Sequence, residues 1–203
     1  KSSSEAKSSS EAKSSSEAKS SSSLNYTQYD VKGDGSCFLR ALFQSLKINN
    51  MLEKFIKCIF GDLCPLPIED EFVKLLRNHL SDKIFNDENS ITTELYTNLK
   101  EQYETEPANF LMITRHSIPW MNELKKFPVF NKFKEMFANK LKQTRYWIGQ
   151  FEYELLQNII EKCIDIIIYI FNDTIPKDFV FKPNTIYLIN LNETHYNYII
   201  PKT

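Results

Sequence analysis

A chain of 203 residues, 42% apolar and 13% aromatic with a formal net charge of −1, carries core-forming sequence for one domain. The near-neutral balance, with no Lys/Arg block interleaved with aromatics, leaves no electrostatic footprint for nucleic acid. The most apolar run, 164–171, contains Asp165 and is too short to cross a bilayer, so no membrane partner is expected.

Residues 1–23 read KSSSEA three times and then KSSSS. A repeat with no apolar residue except Ala has no face to bury, so 1–23 is expected to be a disordered, Ser-rich linker. The chain begins at Lys1 rather than Met and is expected to belong to something longer. Residues 24–203 form the expected domain, about 180 residues able to bury roughly 70% of their unfolded surface.

Within it, Tyr26–Val31 reads as a short strand, followed by a two-glycine turn and a helix from Cys37 to about Lys47, with Phe38, Leu42 and Leu46 along one side. Asp70–Phe85 reads as an amphipathic helix with Phe72, Leu75, Leu76, His79 and Leu80 on its apolar face. Ser90–Glu104 and Val129–Leu141 are further helices, separated by a stretch that Pro107, Pro119 and Pro128 break up. Phe151–Ile160 is the last helix. Cys163–Phe171, Thr185–Leu191 and Tyr196–Ile200 are β-branched and aromatic runs, hence strands. Helices in the middle and strands at the end predict an α/β (α+β) domain with a small central β-sheet.

The four cysteines are too few for a disulfide scaffold and lack metal-ligand spacing. Cys58 and Cys163 are expected to be small core residues, with reduced thiols and a cytoplasmic setting. Asn, Lys and Ile richness points to an AT-rich genome. For a virus or intracellular bacterium, that setting would be host cytosol.

Two of the four glycines fall in KGDGSCFLRAL, residues 32–42. Such a loop turns sharply and can expose its N–H groups, while FLRAL begins a helix whose N-terminus favours an anion. A cysteine there is expected to ionise well below its free pKa of about 8.5, and the same amides suit an oxyanion. From this stretch alone, a plain glycine turn with Ser36 or Asp34 as a helix cap stays open. A nucleophilic cysteine needs a base. His79 reads as a core or boundary residue and His116 as part of a loop. His195 lies at the mouth of the last strand with Asn197 two residues on, so both side chains share a face. The Asn197 carbonyl oxygen could then accept Nδ1–H of the imidazole, completing a nucleophile, base and orienter.

Together these stretches resemble the ovarian-tumour (OTU) family of cysteine proteases, which are papain-like in chemistry and remove ubiquitin. Residues 33–41 match the family's Gly-Asp-Gly-(Ser/Asn)-Cys, two apolar residues, Arg, Ala, with Phe38 and Leu39 in swapped order. Trp147-Ile148-Gly149-Gln150-Phe151-Glu152 matches a second element, with Ile148 where Gly is commoner. Ile186–Ile189 followed by His195-Tyr196-Asn197 matches a third. Between Leu46 and Tyr146 the chain matches only in being mostly helical.

The resemblance implies a papain-like OTU fold with Cys37 as nucleophile, His195 as base and then acid, Asn197 as orienter, and Asp34 shaping the oxyanion loop. Glu152 and Trp147 would be structural, and Trp120, Tyr146 and Trp147 are candidate walls of a substrate channel. No cofactor or metal is implied. The implied partner is ubiquitin or polyubiquitin, or a ubiquitin-like modifier, bound by a monomeric domain. Two rivals stay open: a ubiquitin-binding module without turnover, and a cysteine protease that processes a polyprotein.

Overall fold

The computed structural model describes residues 18–19, 25–86, 90–118, 120–121 and 124–202. Apart from Ala18 and Lys19, the expected linker lies outside them.

Among the described residues, seven helices precede most of one mixed sheet. A two-residue strand β1 (Ala18–Lys19) and β2 (Tyr26–Tyr29) come first. They are followed by α1 (Cys37–Ile48), α2 (Leu52–Phe60), α3 (Glu69–Asn86), α4 (Ile91–Thr105), α5 (Pro107–Ser117), α6 (Phe130–Leu141) and α7 (Gln150–Glu161). Strands β3 (Ile167–Asn172), β4 (Thr185–Leu191) and β5 (His195–Pro201) close the chain. The sheet order is β1-β2-β5-β4-β3, with only β3 and β4 parallel. This is the α+β class that the order of elements predicts.

Hairpin geometry explains the centre of the sheet. Asn192 and Glu193 adopt left-handed backbone angles in the tight β4–β5 turn, which sets the register Leu191 opposite His195. The parallel β3–β4 pair needs a crossover, supplied by residues 173–184. That segment lays Phe179 and Phe181 over Phe171, Tyr187 and Ile199 on one sheet face.

The other face carries α1, which packs on β5 and β4 and against α3. Position in the middle layer changes what its sequence must do. The expected one-sided pattern of Phe38, Leu42 and Leu46 is instead an all-round burial that takes in Leu39, Ala41, Phe43 and Ser45. On α3 the buried face is Phe72, Val73, Leu76, Arg77, Leu80, Ser81 and Ile84. Leu75, expected inside, is 36% exposed. The helix is turned so that Arg77 points inward, and His79 sits at the boundary with its ring edge-on to Phe60.

Three further differences have local causes. Residues 107–117 form α5 rather than a broken loop, because Pro107 opens the helix, where its missing N–H is not needed. The backbone of His116 therefore lies in a helix. The strand expected from Cys163 begins only at Ile167, since α7 runs to Glu161 and residues 162–166 reverse the chain. That turn leaves Cys163 exposed, next to the half-buried Cys58, and the two are joined as a disulfide with Cα atoms 5.6 Å apart. The expectation of two reduced core thiols is thus corrected: α2 packs on α7, which brings the sulfurs together. Among the described residues no helix is long and apolar enough to cross a membrane.

Candidate active site

The turn before α1 is held from several sides. Gly35 has φ +79°, in the left-handed region, and a Cβ there would lie 2.6 Å from the Arg145 carbonyl oxygen. Only glycine meets both demands. Ser36 donates its hydroxyl to the Thr144 carbonyl at 2.9 Å. It makes no cap bond to α1, so a cap by the Ser36 side chain is not what the loop does. The Asp34 carboxylate accepts the Ser36 N–H at 3.1 Å and a forked pair of bonds from Arg40. Burial works against its charge, yet Arg40 and the Ser36 amide hold its carboxyl below the usual range. Arg40 also reaches Glu69 at 2.6 Å and Asp70 at 2.7 Å, tying the loop to the first turn of α3.

Beneath this loop lies Arg77, a residue outside the motifs quoted above. It is 1% exposed and donates to the carbonyls of Gly35 (3.0 Å), Leu141 (3.0 Å) and Tyr146 (2.7 Å) and to Ser36 Oγ (3.0 Å). Burial lowers its pKa to about 10, against the pull of the Glu152 charge. Glu152 is fully buried. Its carboxylate accepts the Gly149 N–H at 2.9 Å, half of a capping box for α7, and the Tyr146 hydroxyl at 2.7 Å. The Trp-Gly-Glu element therefore braces the 144–146 strand of loop on which Gly35 and Ser36 rest. Trp147 is 44% exposed and open to a ligand, whereas Trp120 is buried against Phe133 and Phe137.

Cys37 opens α1 and is itself 1% exposed. The Tyr196 N–H donates to its Sγ at 3.5 Å across 159 positions of sequence. Edge-on packing of Tyr196 against Phe38 at 5.2 Å fixes the same join. His195, the preceding residue, lies over Gly33, where an added methyl would meet Nδ1 at 3.5 Å. The fold thus brings the sulfur, the imidazole and the glycine turn to one place. Among the described residues no hydrogen bond joins His195 to Cys37 or to Asn197. Burial pushes the Cys37 thiol above its ordinary value, and the nearby Asp34 charge adds to this. The amides of Tyr196 and Phe38 pull the other way without prevailing. The expected low thiol pKa is therefore corrected: in this resting arrangement desolvation outweighs the helix N-terminus.

Asn197 is 1% exposed. Its Nδ2 donates to Asp30 Oδ1 at 2.6 Å and its Oδ1 accepts the Val31 N–H at 3.3 Å. Asp30, seven residues before Cys37, belongs to none of the sequence motifs. No group of three or more His, Cys, Asp or Glu suited to a metal occurs among the described residues.

No family model and no curated protein matches the chain. Among solved structures, a viral OTU domain protease from Qalyub virus is 14% identical, with 92% of this chain and 99% of that one covered at a TM-score of 0.39. An OTU deubiquitinase in complex with Ub-PA is 13% identical, covering 86% and 73% at 0.49. The Hazara virus OTU bound to ubiquitin is 10% identical, covering 93% and 96% at 0.38.

Proposed function

We propose that this chain is a thiol-dependent deubiquitinase, cleaving the peptide or isopeptide bond after the C-terminal glycine of ubiquitin. The reading is supported above all by the Tyr196 N–H bond to Cys37 Sγ, which seats the strand bearing His195 on the candidate nucleophile. The three OTU-like sequence elements support it too, because each supplies a part of this one site.

In this reading a modest swing of the imidazole off Gly33 lets His195 take the Cys37 proton. The thiolate adds to the glycine carbonyl carbon, and the carbonyl electrons move to oxygen. N–H groups at the start of α1, to which Ser36 makes no cap bond, would receive that oxyanion. Collapse breaks the C–N bond as His195 protonates the departing lysine amine, leaving a thioester. Water, deprotonated by His195, then releases the ubiquitin carboxylate and restores the thiol. Asp34 holds the loop through Arg40, and Asn197 orients the imidazole. Residues 24–203 act as the catalytic unit, a monomer, and 1–23 as a linker to it, of which Ala18 and Lys19 pair with β2.

A ubiquitin-binding module without turnover is the rival, favoured by the raised thiol pKa and the unjoined imidazole. Ubiquitin carrying a C-terminal alkyne electrophile separates the two. A covalent adduct with wild type, absent from Cys37→Ala and His195→Ala, is the expected result, followed by cleavage of at least one di-ubiquitin in a linkage panel. Binding without adduct or cleavage would replace the enzyme with the module.

A further inference from the structure

The pairing of Asn197 with Asp30 determines which way the amide faces. A backbone N–H can only donate and a carboxylate can only accept, so the Val31 and Asp30 partners leave one assignment of Asn197 Oδ1 and Nδ2. Oδ1 has two lone pairs, and Val31 uses one. The other is available on the strand face that Asn197 shares with His195. The segment 30–33 lies against both residues, since Gly33 underlies the imidazole.

We propose that Asp30 is a positioning residue for the reaction proposed above: it fixes the Asn197 carboxamide with its oxygen toward His195. It also requires an amide rather than a carboxylate at position 197. The inference rests on the deubiquitinase reading for its activity assay, though not for its other measurements. Asp34, the acid of the glycine loop, cannot take this part, because Arg40 engages it in a forked pair. Among the described residues no cation pairs with Asp30.

The requirement for an amide runs against simple expectation. Replacing Asn197 by Asp would ordinarily strengthen an orienter by adding charge. Here it would set two carboxylates where the 2.6 Å bond now lies, with no donor between them. Asn197→Asp is therefore expected to lower kcat/KM on a fluorogenic ubiquitin amide at least tenfold. Adding Asp30→Asn restores the donor–acceptor pair with its ends exchanged and should bring kcat/KM to within about threefold of wild type.

Two readouts do not need ubiquitin. The urea midpoint should fall in Asn197→Asp and recover in the exchanged double variant. The 15N signals of the His195 imidazole should report the Nδ1–H tautomer in wild type and in the double variant, and a mixture in Asp30→Ala, a signature that a merely structural Asp30 would not alter. Wild-type rates in Asn197→Asp, or no recovery in the double variant despite a native fold by circular dichroism, would overturn the proposal. If wild type turns over no ubiquitin substrate while the stability and tautomer patterns hold, the deubiquitinase reading falls and the assignment of Asp30 stands.

Discussion

Replacing Arg77 by Met tests the claim that a buried guanidinium holds the nucleophile loop. Met keeps most of the stem's volume and removes every donor. Five acceptors then lose a partner: the carbonyls of Gly35, Leu141, Thr144 and Tyr146, and Ser36 Oγ, at 2.7–3.4 Å. Bonds from a charged donor contribute about 1.5–3 kcal/mol each, and desolvation of the guanidinium offsets several kcal/mol of that sum. Removing one member of such a buried charged arrangement costs about 3–5 kcal/mol. The fully buried Glu152 also loses the positive charge that helps to offset its own desolvation. With a urea m-value of about 2 kcal/mol/M, the unfolding midpoint should fall by roughly 1.5–2.5 M. Arg77→Lys should recover only part of this, because one ammonium cannot span Leu141 and Gly35 together. Urea titration followed by far-UV circular dichroism reads both variants. A Met variant within about 0.3 M of wild type would show that the loop does not depend on Arg77, and the reasoning would fail.

The remaining predictions concern the glycines and the thiol. Gly35→Ala should be destabilised by about 2–5 kcal/mol, from a left-handed backbone penalty of about 1–2 and overpacking against Arg145 of about 1–3. It should also abolish electrophile capture, whereas Gly61→Ala, with φ +86° but open space around its Cβ, should leave capture unchanged; equal capture by both variants would refute the close-approach claim. In a Cys64→Ser background, alkylation of Cys37 by iodoacetamide should reach half its maximal rate above the free-thiol value of about 8.5, because burial disfavours the thiolate and the thiol stays protonated until higher pH. A midpoint near 7 would mean that the resting imidazole already holds the thiolate.

The elements differ in how far they could be read without coordinates. β4 was legible to the residue, since its β-branched and aromatic run is bounded by Asn184 and Asn192, both left-handed. α2 was passed over although Leu52, Phe55, Ile56 and Ile59 carry a helical period, of which Phe55, Ile56 and Ile59 are buried. The buried stripe on α3 is rotated by a fraction of a turn from the expected one, with Arg77 inside and Leu75 partly out. A charged residue normally marks the wet side of a helix, and Arg77 is dry only because backbone carbonyls from two distant loops converge on it. Cys58 and Cys163, 105 positions apart, looked like separate core residues. No local pattern states that α2 will lie on α7.

Two short stretches of sequence set local requirements: a glycine turn followed at once by a cysteine and a helix, and a last strand with His195 at its mouth and Asn197 two residues on. Those requirements arise from steric limits on the backbone and from side-chain alternation, which act over a few residues. The packed fold set the long-range terms. It joined Tyr196 to the thiol, gave Asn197 to Asp30, and buried Cys37 deeply enough that desolvation exceeds the pull of the helix N-terminus. Burial and hydrogen-bond partnership depend on which surfaces meet, and in this protein the meeting surfaces are brought together by the packing of α1 between β5 and α3.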